Sequence, residues 1–267
     1  QVVPIVLEGI PNKDLNLDKS NNQVSYFQED QILYICLSTM TGDNEEFYSQ
    51  IKEVGKNNII DKVIIDVRDN EGGSDYVWMN VISAIVKDTI HYSTKLAFCD
   101  SKIIRKKFQS YKNIISYEKI PFLDNKIYGI INSEMLIVPD SNSIGYDKKI
   151  YVLSNRNTYS AGFSLVRFAN EVEQVVSVGS PTGKMVGFGL MPQVFQLKYS
   201  KFTFRLTCIM DIYNATKPED IYQDYTEIEI APTFEEEILY PRSVYNMKSK
   251  EFLYQYDTGF KKVLELE

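Results

Sequence analysis

The most constraining stretch of this sequence is residues 62–73, KVIIDVRDNEGG. Its first half is a short, β-branched apolar run. Such a run, without polar alternation, marks a strand buried on both faces, as in parallel sheets covered by helices. Its second half holds two adjacent glycines, Gly72 and Gly73, and a helical pattern follows at once. Trp78, Val81, Ile82 and Ile85 fall at i, i+3, i+4 and i+7 from near Ser74. A strand, a sharp turn and a helix in that order predict an α/β chain.

The rest of the chain extends the pattern. Residues 31–38, 93–99, 148–154, 174–179 and 225–230 read as strands, and 193–198 with 202–208 as a hairpin. The second hairpin arm alternates, Phe202, Phe204, Leu206 and Cys208 against Thr203, Arg205 and Thr207, as a half-buried strand does. Residues 43–56 read as a helix, with Asp43 and Glu46 as a capping box and Phe47, Ile51 and Val54 inside. Residues 159–172 read as another, on Leu165, Phe168, Ala169 and Val172. Asp257 or Thr258 opens a last helix with Phe260 and Val263 inside. Residues 11–30 are polar and read as loop. Residues 100–147 are poorly periodic and read as long loops with short elements.

Composition excludes several chemistries. His91 is the single histidine, so a site needing two histidines cannot form within the chain, and a Ser-His-Asp triad requires His91 as base. The cysteines Cys36, Cys99 and Cys208 are widely separated, form no C-x-x-C motif, and read as three buried apolar thiols. Acidic residues outnumber basic ones, 36 to 29, so no basic footprint for nucleic acid is expected. No apolar run approaches the roughly 18–20 residues of a membrane span. The chain starts at Gln1 with no initiator Met and no leader, as a mature secreted form or an excised piece would.

Three segments carry possible chemistry. In 64–73 the double-glycine turn exposes backbone N–H groups near a helix start, where negative charge is stabilised; the alternative is a turn shaped by glycine alone. In 157–165, NTYSAGFSL, Ser160 sits between a strand and a helix, as in a nucleophile elbow; the alternative is an ordinary N-cap serine. In 178–189, Gly179, Gly183 and Lys184 fail the phosphate-loop pattern, because only three residues separate the glycines and Met185 follows the lysine.

Together these segments resemble the C-terminal processing peptidases (tail-specific proteases), a serine peptidase family that includes the tricorn-type core. The D-x-R-x-N-x-G-G turn is matched by Asp66, Arg68, Asn70, Gly72 and Gly73. The T-x-S-A-x-E segment is matched by Thr158, Ser160 and Ala161. The G-E-x-T segment, nineteen residues after the serine, is matched by Gly179 and Thr182. TEIEIAPTFEEE, residues 226–237, echoes the family's P-D-I-x-V-x-P-T-x-E-D stretch, and the closing helix follows Asp257. The resemblance runs over roughly residues 30–267. Phe163 and Ser180 stand where the family pattern has glutamates.

The resemblance implies a crotonase/ClpP-like α/β spiral of mixed sheet and helices. It implies an N-terminal segment over 1–30, with no PDZ domain evident, and a catalytic domain over 31–267. Ser160 would be the nucleophile. The N–H of Ala161 and that of Gly72 or Gly73 would form the oxyanion hole. Lys184 would be the general base, although one branch of the family lacks that lysine and leaves Lys184 a solvated loop residue. Glu171 would lend support from the same helix, or be a plain surface carboxylate. His91 matches no family motif. The implied activity is a serine endopeptidase on polypeptides or their C-terminal tails, with no metal or organic cofactor and no membrane span, in an extracytoplasmic or secreted setting. The oligomeric state is left open. Two alternatives remain. One is an inactive relative that binds peptides or a partner protein. The other is an acyl-CoA-type enzyme, suggested by the fold alone.

Overall fold

The computed structural model describes residues 22–107, 109, 113, 115–182, 193–206, 209–222, 226–234, 236 and 248–266. They fall into two compact units, one within 17–92, 135–184 and 224–267, the other within 93–134 and 185–223.

The first unit is built on a six-stranded sheet. Its order is β1 (Gln23–Phe27), β2 (Ile32–Cys36), β3 (Lys62–Asp66), β7 (Ile150–Ser154), β8 (Val175–Gly179) and β12 (Ile228–Glu229). β1 runs antiparallel to β2, and every later pair is parallel. The two-residue side-chain period of these strands divides the core. Leu33, Ile35, Val63, Ile65, Ile150 and Val152 point to one face. There they meet the apolar stripes of α1 (Glu45–Asn57), α2 (Asp75–Ile85) and α4 (Ala161–Ala169). Ile32, Tyr34, Ile64, Tyr151, Leu153 and Val178 point to the other face. Phe260 and Val263 of the closing helix α6 (Thr258–Glu265) and Leu253 of α5 (Lys250–Gln255) cover it. Helices on both faces are why the central strands carry no polar alternation.

The second unit holds the hairpin of β9 (Gln193–Gln196) with β10 (Thr203–Leu206). It also holds most of a four-stranded sheet in the order β11 (Ile209–Asp211), β4 (Ile90–Cys99), β6 (Ile127–Ile137) and β5 (Ile115–Lys119), with β11 antiparallel to β4 and β5 to β6. A short helix α3 (Lys102–Lys107) precedes β5. The mixed α/β fold agrees with the sequence expectation, and several elements depart from it. The span 100–147, read as long loops with short elements, holds α3, β5 and the eleven-residue β6. β5 has no buried residue and β6 mixes exposed with buried ones, which dilutes the apolar signal. β1 lies in the stretch read as polar loop. It is an edge strand with one buried residue, Phe27. α1 starts at Glu45 behind Asn44, and Asn44 does not cap the helix. Its side chain holds Asn22 and the carbonyl of Gly42 instead. α4 ends at Ala169, short of the expected 172. Of the cysteines, Cys36 is buried. Cys99, at the end of β4, is exposed. Cys208 lies outside the described residues.

The end of β3 is tied to the closing helix by charge. Arg68 Nη2 and Nε donate to the two oxygens of Asp66 at 2.6 and 3.0 Å, while Nη1 donates to Asp257 Oδ2 at 2.5 Å. Tyr34 donates its hydroxyl to Asp66 Oδ2 at 2.5 Å. The other oxygen of Asp257 accepts from the N–H of Phe260 at 2.8 Å, which caps α6. Both carboxylates are fully buried. Burial pushes the Asp66 carboxyl up, but the Arg68 guanidinium beside it, with the charge of Lys248 and the Tyr34 hydrogen bond, holds it below its ordinary value.

Removing the cation leaves two buried carboxylates unpaired. Arg68→Met should therefore cost about 3–5 kcal/mol, read as a lower urea midpoint. Because the folded Asp66 pKa is depressed, its stabilisation is present above the unfolded value of about 3.9. It is lost as pH falls through the lower folded value. Asp66→Asn should weaken the chain at neutral pH and flatten this acid limb. An acid limb identical to wild type would refute the linkage.

Candidate active site

Two strand-to-helix turns, after β3 and after β7, meet at the carboxyl edge of the six-stranded sheet. Short side chains hold them together. Thr158, buried in the second turn, donates its hydroxyl to the carbonyl of Val67 at 3.0 Å and accepts the N–H of Asn155 at 3.0 Å. Asp69, with φ 59°, accepts from the amides of Asn155 (3.0 Å) and Asn157 (2.8 Å). Its own N–H donates to Asn155 Oδ1 at 3.0 Å.

Asn70 is fully buried and serves three strands of chain at once. Its amide donates to the carbonyl of Leu37 at 2.5 Å. Its Oδ1 accepts the N–H of Gly72 at 2.7 Å, an Asx turn. Its backbone carbonyl accepts the N–H of Tyr159 at 2.8 Å, one residue before Ser160. The sequence motif contains Asn70 but assigned it no work. The Asn-x-Gly-Gly spelling was the available signal.

These ties place Gly72 against Ser160. A β-carbon on Gly72 would stand 2.4 Å from Ser160 Cβ, 2.9 Å from Ala161 N and 3.0 Å from Ser160 Oγ. Gly72 also has φ +96°. Both facts require glycine. Gly73 approaches the backbone of Met40 just as closely, a β-carbon there falling 2.2 Å from the Met40 carbonyl oxygen.

Ser160 occupies the N-cap position of α4, yet its side chain caps nothing. Its backbone sits at φ 54°, ψ −120°, outside the extended region typical of a cap. For a serine this costs about 1–3 kcal/mol. The residue is exposed, and among the described residues its Oγ has no hydrogen-bond partner. Ala161, the first residue of α4, has an N–H with no acceptor within the helix. Among the described residues the Gly73 N–H is likewise unengaged, while that of Gly72 is taken by Asn70. Gly73 also borders a groove of about 460 Å³ lined by Met40, Asn44, Tyr48 and Tyr76.

The structure thus brings together Ser160, Ala161, Gly72 and Gly73. It does not bring Glu171 to them. That residue lies beyond the end of α4, with about 13 Å of helix between it and Ser160, and pairs with Arg167 Nη2 at 2.8 Å. His91 is an exposed residue of β4. Lys184 lies outside the described residues. Phe163, in place of a glutamate, is buried on α4, and Ser180 is half-buried after β8. No group of three or more His, Cys, Asp or Glu side chains among the described residues could hold a metal ion. No described helix is long and apolar enough to cross a membrane.

The model of peptidase family S41 matches residues 31–229. No curated protein matches the chain. Among solved structures, a candidate peptidase from Parabacteroides merdae ATCC 43184 superposes with TM-score 0.61 at 18% identity, over 93% of this chain and 65% of that one. A mutant of CPAF gives 0.59 at 12% identity, over 93% and 55%. A candidate S41 protease from Bacteroides fragilis NCTC 9343 gives 0.50 at 14%, over 92% and 56%. The chain therefore spans less than two thirds of the length of these structures, which share its fold. Since the family model takes in the β3 turn, Ser160 and the strands around them, the chain belongs to peptidase family S41, a family of serine peptidases.

Proposed function

We propose that this chain carries the catalytic centre of a serine endopeptidase acting on polypeptides or their C-terminal tails, with Ser160 as nucleophile. The observation that carries the reading is Ser160 itself. A serine held at strained positive φ, exposed, uncapping and pressed against glycine has no structural duty that a glycine would not meet at less cost.

In the proposed reaction Ser160 Oγ attacks the peptide carbonyl carbon. The N–H groups of Ala161 and Gly73 face the resulting oxyanion at the start of two helices, where partial positive charge adds to the hydrogen bonds. Gly72 supplies clearance, since its N–H is engaged by Asn70. Lys184 takes the hydroxyl proton and returns it to the leaving amine, and water then hydrolyses the acyl-enzyme. A lysine does this only if its surroundings lower its pKa towards neutrality. The groove beside Gly73 offers the extended substrate a place to lie. The setting is extracytoplasmic or secreted, as the family resemblance implies.

A second reading, an inactive relative that binds peptides, is favoured by Phe163, which puts a buried ring where the family pattern has a carboxylate. One experiment separates the two. Wild type should hydrolyse a fluorogenic peptide and be labelled at Ser160 by a fluorophosphonate. Ser160→Ala should fold normally, lose labelling, and lose turnover by at least about 10³-fold. Undiminished hydrolysis by that variant would falsify the assignment. A folded wild type with neither labelling nor turnover, but with peptide affinity, would establish the binding reading. Lys184→Met should lower kcat about 10²–10⁴-fold, and an unchanged kcat would remove Lys184 as base.

The contact at Gly72 gives an independent check. Gly72→Ala puts a methyl where Ser160 Cβ and Ala161 N now stand. It should lower kcat about 10²-fold through displacement of Ser160, with fluorophosphonate labelling slowed in parallel. Wild-type kcat in this variant would show that the close approach has no bearing on the chemistry.

A further inference from the structure

At the carboxyl ends of β7 and β8, on the face of the sheet that the closing helix covers, lies a cavity of about 700 Å³. Leu153, Val178, Ile230 and Pro232 give it apolar walls. Ser160, Ala161, Gly72 and Gly73 do not line it, and α4 packs on the opposite face of the sheet. The carboxyl edge of a parallel sheet is where open α/β folds take ligands.

Glu236 lines the same cavity and is only 7% exposed. Its Oε2 collects three donors: the N–H of Thr258 at 3.3 Å, the hydroxyl of Thr258 at 2.6 Å and the N–H of Thr233 at 3.4 Å. Its Oε1 accepts nothing among the described residues. That oxygen is not sealed in, and the open space beside it is the cavity. None of the described ion pairs involves Glu236. Arg68, in the same wall, has Nε, Nη1 and Nη2 committed to Asp66 and Asp257. Arg156 is exposed, where solvent screens its charge.

A glutamine would satisfy the same three donors with its one carbonyl oxygen and would be cheaper to bury. What the carboxylate adds is a negative charge and a second acceptor beside apolar walls. The start of α6 supports that charge, but three donors on one oxygen leave the other in need of one.

We infer that this cavity binds a primary ammonium group carried on a short apolar body, with Glu236 as its counter-ion. A free apolar amine has this chemistry, and so does an apolar residue at the amino terminus of a peptide. The ammonium gives Oε1 a charge-assisted hydrogen bond, and the apolar body takes Leu153, Val178 and Ile230 out of water. An anionic ligand is disfavoured, because it would face the Glu236 charge. The site is independent of the reading of Ser160.

Gly259 supplies a way to close the cavity that it lines. A β-carbon there would lie 3.5 Å from Asp257 Oδ1 and 3.6 Å from Leu153 Cδ2, ordinary contact distances. A side chain is therefore tolerated at this position, and a large one fills the space.

The test reads binding, not turnover. The whole isotope-labelled chain is titrated at about pH 6.5, where an α-amino group is protonated, with L-leucinamide, its N-acetyl derivative and the tripeptide leucyl-glycyl-glycine. Heteronuclear NMR follows the amides of Ser180, Thr258 and Gly259. Leucinamide should shift them saturably. The acetylated form, which keeps the apolar body and loses the charge, should bind at least about tenfold more weakly. Glu236→Gln keeps the acceptor for Thr258 and should weaken leucinamide binding about 10–10²-fold. Gly259→Leu should abolish binding, and it carries the test if Glu236→Gln does not fold. Tighter binding of the tripeptide than of leucinamide would make the ligand a peptide amino terminus, and weaker binding would make it a free amine; both uphold the site. The inference is overturned if leucinamide leaves these amides unmoved at about 10 mM, above the Kd expected for a ligand of its size. It is also overturned if the acetylated form binds equally well, or if folded Glu236→Gln or Gly259→Leu binds leucinamide as tightly as wild type.

Discussion

The buried ion pairs of Arg68 with Asp66 and Asp257 are the constraint on which the rest of the site depends. They join the last residue of a central strand to the N-cap of the closing helix, residues 191 apart in sequence. A buried pair of this kind adds little net stability compared with apolar packing, but it is unforgiving of a missing partner. Its contribution is directional. Two fixed carboxylates and a planar guanidinium orient the chain leaving β3, and the turn carrying Asn70, Gly72 and Gly73 begins from that orientation.

From there the site is assembled by backbone hydrogen bonding more than by side-chain chemistry. Asn70 and Thr158 spend their polar atoms on carbonyls and N–H groups of the opposing turn. Ser160 is thereby held in a conformation that its own preferences disfavour. The strain of that serine is a local rule broken at a helix N-terminus, and the packed sheet beneath supports the cost. The apolar wall of Trp78, Phe168 and Tyr92 behind α2 and α4 supplies that support.

Much of this was legible beforehand. The two-sided burial of KVIID, the helix behind Ser74, the strand ending at Ser154 and the cap at Asp257 all follow from period, β-branching and capping chemistry. β5, β6 and β1 were not legible, because a strand with solvated faces mixes polar and apolar residues without a clean period. The end of α4 was misplaced by three residues because Val172 continues the apolar spacing after the helix has stopped. That error made Glu171 look like part of the site helix, whereas its carboxylate is occupied by Arg167.

The sequence by itself determined the central strands and helices that flank the two turns, the order of those turns, and the residue types each turn must contain. Glycine at 72 and 73 and serine at 160 are marked by their neighbours along the chain. Only the tertiary structure decided which of two glycine N–H groups is unengaged, because the competitor for the Gly72 N–H is the Asn70 side chain, folded back on its own turn. Only the tertiary structure, too, brought Gly72 against Ser160, since those residues stand 88 positions apart and meet where the two turns are tied together. Periodicity reports which face of an element is buried. It carries no information on which polar atom will satisfy which across that face, and the proposed chemistry turns on those pairings.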